Sequence, residues 1–254
     1  MNSEQFADLV WKSQTGDEEA LEQVLLHAYT PVSYLTNKIL QNEQTASQVA
    51  REVLEIISSK LNSLTDPSQF DKWMCRITAA RCIQAMPLFQ AGSAESAPWQ
   101  EDLPDGETLT EEQSAQAIQS MVDSLPKNQR LCILLLCCGG LSVSAISQLT
   151  GFSHNTVTEY IAKGQNTIQQ HLWTLQERNI QFTGLSSLTG ILRIAMHHQD
   201  EESDPIPLVY GVLGKEVPVP PDPEKRIIRI LTAVLICLLL AIAVTGGILV
   251  LGLI

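Results

Sequence analysis

The chain has 254 residues and a formal net charge of −12. That length suits two compact domains of ordinary size, and so strong an acidic excess excludes a protein that holds nucleic acid by bulk charge alone. The charge is uneven, however: residues 1–90 carry −4, residues 91–119 carry −7, residues 120–176 carry +1 and residues 177–254 carry −2. A basic contact surface is therefore to be sought in 120–176 first.

The N-terminal stretch Met1 to Val10 holds Glu4 and Asp8 and has no apolar core, so it does not read as a signal peptide. Phe6, Leu9 and Val10 fall at helical spacing, and Gly16 ends that helix. Asp17 can cap the next one, with Glu18 and Glu19 in its first turn, where the helix dipole favours anions. Its apolar face is Leu21, Val24, Leu25 and Ala28. Pro31 is expected to end this helix, and Val32, Leu35, Ile39 and Leu40 to form a third. A fourth is predicted over 45–61, with Ala46, Val49, Ala50, Val53, Leu54, Ile57 and Leu61 on one face. Leu64 to Pro67 reads as a turn with Pro at a first helical position. A fifth helix follows, carrying Phe70, Trp73, Met74, Ile77 and Ile83.

Residues 90–110 break the pattern with Ala, Gly, Ser and Pro, which is linker chemistry. No basic residue occurs from 91 to 119, and the stretch reads as an acidic, solvated tether. Leu125-Pro126 then separates two helices. The apolar run Leu131 to Cys138 is expected to be buried, and Gly139-Gly140 ends it. Ser142 can cap a short helix bearing Val143, Ile146 and Leu149. Thr150-Gly151-Phe152 makes a tight turn, and Ser153 can cap a longer helix with a seam of Val157, Ile161, Ile168 and Leu172. Short helix, Gly turn, longer helix is the helix-turn-helix pattern, although the same spacing fits any three-helix bundle.

Leu185, Leu188, Ile191, Leu192 and Ala195 give another helical stripe. The adjacent His197 and His198 do not face one metal on a helix and read as surface residues. Residues 203–224 are rich in Pro and Val and read as an extended spacer, with a short hairpin around Gly211 to Lys215. That spacer either keeps the body clear of lipid or receives a regulatory contact; both readings stay open. From Ile230 to Ile254 the chain carries no charge. As a helix this run spans roughly 37 Å, enough for a hydrocarbon core of about 30 Å. Lys225, Arg226 and Arg229 precede it, so the positive-inside rule leaves the N-terminal body in the cytoplasm of a single-pass cell-membrane protein. The six cysteines, Cys75, Cys82, Cys132, Cys137, Cys138 and Cys237, form no C-x-x-C pair and read as small buried hydrophobes in a reducing compartment. No nucleophile–base pair, phosphate loop or metal cluster stands out, so neither an enzyme nor a cofactor is expected.

Two ordered sets of residues resemble a known family. Leu125-Pro126-Lys127-Asn128-Gln129-Arg130, Leu134-Leu135, Leu141-Ser142, Ile146, Leu149, Gly151, Ser153 and Thr156-Val157 resemble the fourth conserved region of extracytoplasmic-function sigma factors. Gly16-Asp17, Ala20, Pro31, Glu52-Val53-Leu54 and Phe70-x-x-Trp73-x-x-Arg76-Ile77 resemble that family's second conserved region. The resemblance covers roughly residues 5–86 and 118–173. It implies an all-α chain: a second-region bundle over 1–88, an acidic linker over 89–117 and a fourth-region helix-turn-helix domain over 118–176. A juxtamembrane helix and spacer over 177–226 and a transmembrane helix over 227–254 complete the expected organisation.

The resemblance further implies a transcription-initiation factor that binds core RNA polymerase through its β′ and β subunits and recognises promoter DNA. Candidate DNA contacts are Ser153, His154, Asn155, Thr156, Thr158, Glu159 and Lys163 in the fourth region, and Lys72, Trp73, Arg76 and Arg81 in the second. Gln48, Arg51, Glu52 and Glu55 are the candidate polymerase-docking residues. Membrane lipid is expected to hold residues 230–254, and an anti-sigma factor or a protease is an expected regulator. The acidic linker could imitate nucleic-acid charge near the RNA path.

The contact surface is thinner than the family's pattern. Thr158, Glu159, Gln165, Asn166 and Thr167 stand where basic or small residues are usual, and Lys163 alone keeps its charge. Ala79-Ala80 replace an Arg-Asn pair, and Met86-Pro87-Leu88 a basic cluster. In the docking helix Thr45 and Gln48 stand where acidic residues are usual. Trp73 reads more readily as a core residue than as a base-stacking one, and Arg76 and Arg81 read equally as solvated helix charges. The rival readings are a sigma-derived membrane adaptor or anti-sigma-like module without DNA recognition, and a tethered repressor or activator.

Overall fold

The computed structural model describes residues 3–86, 99, 103–184, 187–202 and 204–217. Among these the chain is all helical, apart from one isolated parallel bridge between Thr108 and Gln181. Residues 1–215 form one compact unit; of the second unit, 216–254, only Glu216 and Val217 are described.

Helix α1 (Ser3–Gln14) ends at Gly16, whose φ of 99° suits a residue without Cβ. Helix α2 (Glu18–Leu40) starts at Asp17, whose carboxylate accepts the Ala20 N–H at 3.0 Å. Contrary to expectation, Pro31 lies inside α2 instead of ending it. Proline inside a helix costs roughly 3 kcal/mol because it lacks an N–H and crowds the carbonyl four residues back. Here Val24, Leu25 and Ala28 before it, and Val32, Leu35 and Ile39 after it, are all at most 1% exposed in the same core. Burying six apolar side chains from one continuous helix outweighs the local defect.

Helix α3 (Glu43–Lys60) is capped by Asn42 and packs antiparallel to α2 through Ala46, Val49, Ala50, Val53, Leu54 and Ile57. Two 3-10 turns, Leu61–Ser63 and Pro67–Gln69, lead into α4 (Phe70–Ala85). Helix α5 (Glu111–Asp123) opens with a reciprocal capping box between Thr110 and Gln113. Helices α6 (Lys127–Cys137), α7 (Val143–Thr150), α8 (His154–Glu177), α9 (Leu188–Glu202) and α10 (Ile206–Leu213) follow.

Two segments read as loose chain are ordered. Residues 103–110, expected as tether, are pinned: Arg178 donates to Asp105 Oδ1 at 2.7 Å and to the Leu103 carbonyl, and the Leu109 N–H donates to the Gln181 carbonyl at 2.8 Å. Leu109 itself is buried, and α5 begins at Glu111, inside the expected linker. The expected hairpin at Gly211 to Lys215 is instead the end of α10, closed by Gly214 in the left-handed conformation with φ of 65°. Pro205 and Pro207 sit at the start of α10, where missing N–H groups cost nothing, and Val209 is buried against α2 and α3. Tyr210 and Lys215 donate to the Glu22 carboxylate at 2.9 and 2.6 Å.

The first four helices and α5–α9 share a boundary rather than standing apart. The Tyr34 hydroxyl donates to the Gln119 side-chain oxygen, Lys38 pairs with Asp123 at 2.9 Å, and Gln41 donates to the Asp123 carbonyl at 2.8 Å. At Gly139 there is no room for a side chain: a Cβ would lie 2.2 Å from Cys75 Sγ and 2.7 Å from the Leu135 carbonyl oxygen.

The five described cysteines carry no disulfide, and burial pushes the thiols of Cys75, Cys82, Cys132 and Cys138 up to about 12. Such thiols are unreactive hydrophobes at neutral pH. Among the described residues no helix is long and apolar enough to cross a membrane. The run Ile230 to Ile254 lies outside the described residues, as do Cys237, the spacer from Pro218 onward and the side chains of His197 and His198.

Candidate nucleic-acid interface

The turn between α7 and α8 is built from short polar residues. Ser142 caps α7 by accepting the Ala145 N–H at 3.2 Å. Gly151, with φ of 74°, closes α7 through its N–H to the Ser147 carbonyl at 2.9 Å. Ser147 Oγ donates to the Phe152 carbonyl at 2.6 Å, and Ser153 Oγ accepts the Thr156 N–H at 3.1 Å to start α8. Phe152 then meets Tyr160 edge-on at 5.4 Å, which fixes α8 against the turn.

Underneath, Val157, Ile161, Gly164 and Ile168 form the buried seam of α8. Gly164 brings α8 close to α6, since a Cβ there would stand 2.4 Å from Ile133 Cδ1. Arg130, only 6% exposed, spans the α5–α6 turn by donating to the carbonyls of Asp123 at 3.1 Å and Leu125 at 2.9 Å. Burial lowers the pKa of its guanidinium, with Asp123 opposing that trend. Arg130 is thus a clamp within the bundle rather than a surface contact.

The opposite face of α8 is exposed, and it carries most of the expected fourth-region residues. His154, Asn155, Thr158, Glu159 and Lys163 are all solvent-exposed. Ser153 and Thr156 are committed to the cap, their hydroxyls 2.8 Å apart, and the Thr158 hydroxyl donates back to the His154 carbonyl at 2.9 Å. Lys163, the one cation on this face, is ion-paired with Glu159 at 2.6 Å, and that hydrogen bond holds its pKa above the usual lysine value. His154 and Asn155 are the side chains best placed for base edges, because they project at the exposed N-terminus of the helix.

On α4, Lys72 and Arg76 are one turn apart and both exposed. Arg81 lies roughly 140° around the helix from Arg76, so it does not join them. It is half-buried and donates to Gln84 at 3.2 Å. Trp73 is half-buried too, with its ring 6.0 Å from that of Phe70, and it packs on the core. On α3 the four expected docking residues line the outer face, where Gln48 donates to Glu52 at 3.2 Å and Arg51 pairs with Glu55 at 3.1 Å. Both pairs close within the helix; Arg51 and Glu55 offset one another, while Glu52, bonded to a neutral amide, keeps its negative charge. Among the described residues no group of three or more His, Cys, Asp or Glu side chains is placed to hold a metal ion.

Two features have no signature in the sequence: the burial of Arg130, and the seam that brings α4 against the turn after α6. Both depend on partners distant in sequence or on a turn seen only in three dimensions. No curated protein matches the chain. Residues 115–164, from within α5 to Gly164 of α8, match the family model described as Sigma-70, region 4, and it is to that DNA-binding region that this four-helix segment is similar.

Proposed function

We propose that the protein is a sigma-type transcription-initiation factor of the extracytoplasmic-function class, directing core RNA polymerase to promoters. The observation that carries this is the coincidence of the region-4 match with a helix-turn-helix whose second helix leaves His154, Asn155 and Thr158 free of tertiary packing. In this reading α8 enters the major groove, Lys72 and Arg76 approach the melted strand, and the outer face of α3 meets the polymerase. The protein does no chemistry itself; polymerase does. The apolar run Ile230 to Ile254 anchors the chain in the cell membrane with its body in the cytoplasm, and an anti-sigma factor or a protease governs release.

The test is transcription by core polymerase on a library of promoter fragments, with and without the full chain. Promoter-dependent transcripts and co-purification with polymerase are expected. Absence of both overturns the proposal. A second reading, a sigma-derived adaptor that binds only proteins, is favoured by one observation: the Lys163 ammonium is already neutralised by Glu159. An adaptor shows no DNA binding even at low salt, where a phosphate-contacting protein binds most tightly.

A further inference from the structure

A cavity of about 620 Å³ lies where α2, α4, the turn after α6 and α9 meet. Its size is that of a small-molecule site. Gly140, where a Cβ would meet nothing within 4 Å, leaves one side of it open, and Pro31 lies in another wall. Leu35, Met74, Cys75 and Cys138 line it with soft, apolar surface.

The polar lining is unbalanced. Lys72 and Arg193 both border the cavity, and neither makes an ion pair among the described residues. The one carboxylate in the lining, Asp71, faces His27 at 3.7 Å. Both cations are solvent-exposed at the rim, so among the described residues the lining offers two positive charges to one negative.

We propose that this cavity binds a small amphipathic anion, a carboxylate carried on a ring or short acyl chain. The headgroup lies at Lys72 and Arg193, and the apolar body lies against Leu35, Met74 and Cys138. Because the lining comes from both sides of the boundary between α2–α4 and α6–α9, an occupant strengthens that packing. Lys72 also belongs to the proposed DNA face, so a bound anion competes with phosphate for it. This last consequence rests on the proposed function; the binding itself does not.

The test uses the full chain kept in solution by an uncharged amphipol, with amphipol alone as the blank. The acid 4-phenylbutyrate and its neutral amide are titrated calorimetrically. The acid is expected to bind at least tenfold more tightly than the amide, and the Lys72→Met, Arg193→Met double variant to erase that difference. No saturable binding, equal binding of acid and amide by the wild type, or a double variant that behaves as wild type overturns the proposal. The acid–amide comparison needs no variant and so does not depend on one folding.

Discussion

Replacing Glu159 by Gln isolates the electrostatics of α8. In the wild type, Lys163 Nζ sits 2.6 Å from Glu159 Oε1, and the two side chains are 58% and 60% exposed. An exposed pair of this kind contributes only a few tenths of a kcal/mol to stability, so Glu159→Gln should fold as the wild type does. Its effect on DNA is larger. The substitution removes one negative charge from the exposed face and frees an ammonium to reach a phosphate. One additional phosphate contact steepens the slope of log K against log salt by about 0.9. At roughly 0.1 M salt this corresponds to about eightfold tighter binding, or about 1.2 kcal/mol. The assay is fluorescence anisotropy of a labelled duplex across a tenfold range of salt. Glu55→Gln, which breaks the corresponding pair on α3, serves as control and should leave the slope alone. If Glu159→Gln shows the wild-type slope and affinity, α8 does not face DNA and the reasoning fails.

Other substitutions examine the scaffold. Arg130→Met takes the side-chain donor from the buried Leu125 carbonyl and one of two donors from the Asp123 carbonyl, and should cost about 1–3 kcal/mol, read as a lower urea midpoint at unchanged slope. Gly139→Ala forces a Cβ against Cys75 Sγ and the Leu135 carbonyl and should destabilise by about 1–3 kcal/mol; adding Cys75→Ala should recover part of that loss, since one of the two clashes then disappears. His171 stacks on Trp99 at 4.7 Å, and burial lowers its pKa below the ordinary value of 6.5. The unfolded chain therefore takes up the proton more readily, so stability is full above 6.5 and is lost as pH falls below it. His171→Gln should flatten the dependence of the urea midpoint on pH in that window.

The helix-turn-helix was legible because its signals are local. Ser142, Gly151 and Ser153 act within four residues of themselves, so their caps could be read without knowing what the helices pack against. The stripes of α2 and α3 were legible for the same reason. Pro31 misled because its cost is local while its compensation, the burial of Val32, Leu35 and Ile39, is tertiary. The stretch 206–213 carried the right signals, proline in the first turn and glycine just past the end, but its density of Pro and Val suggested extended chain. Of the candidate contact residues, Glu52, Trp73, Arg81 and Thr156 are half-buried and the rest exposed. The bonds between α2 and α5 were not legible, because Tyr34 and Gln119, or Lys38 and Asp123, stand 85 positions apart and no periodicity links them.

The bonds from Tyr210 and Lys215 to Glu22 bring the far end of the compact unit back to the first turns of α2. Any pull exerted on the chain past Lys215 is felt first by this clasp, before the bundle beneath it. Two hydrogen bonds and one short helix then act as a mechanical fuse. They can yield and re-form under load while the helices that carry the candidate contacts stay folded.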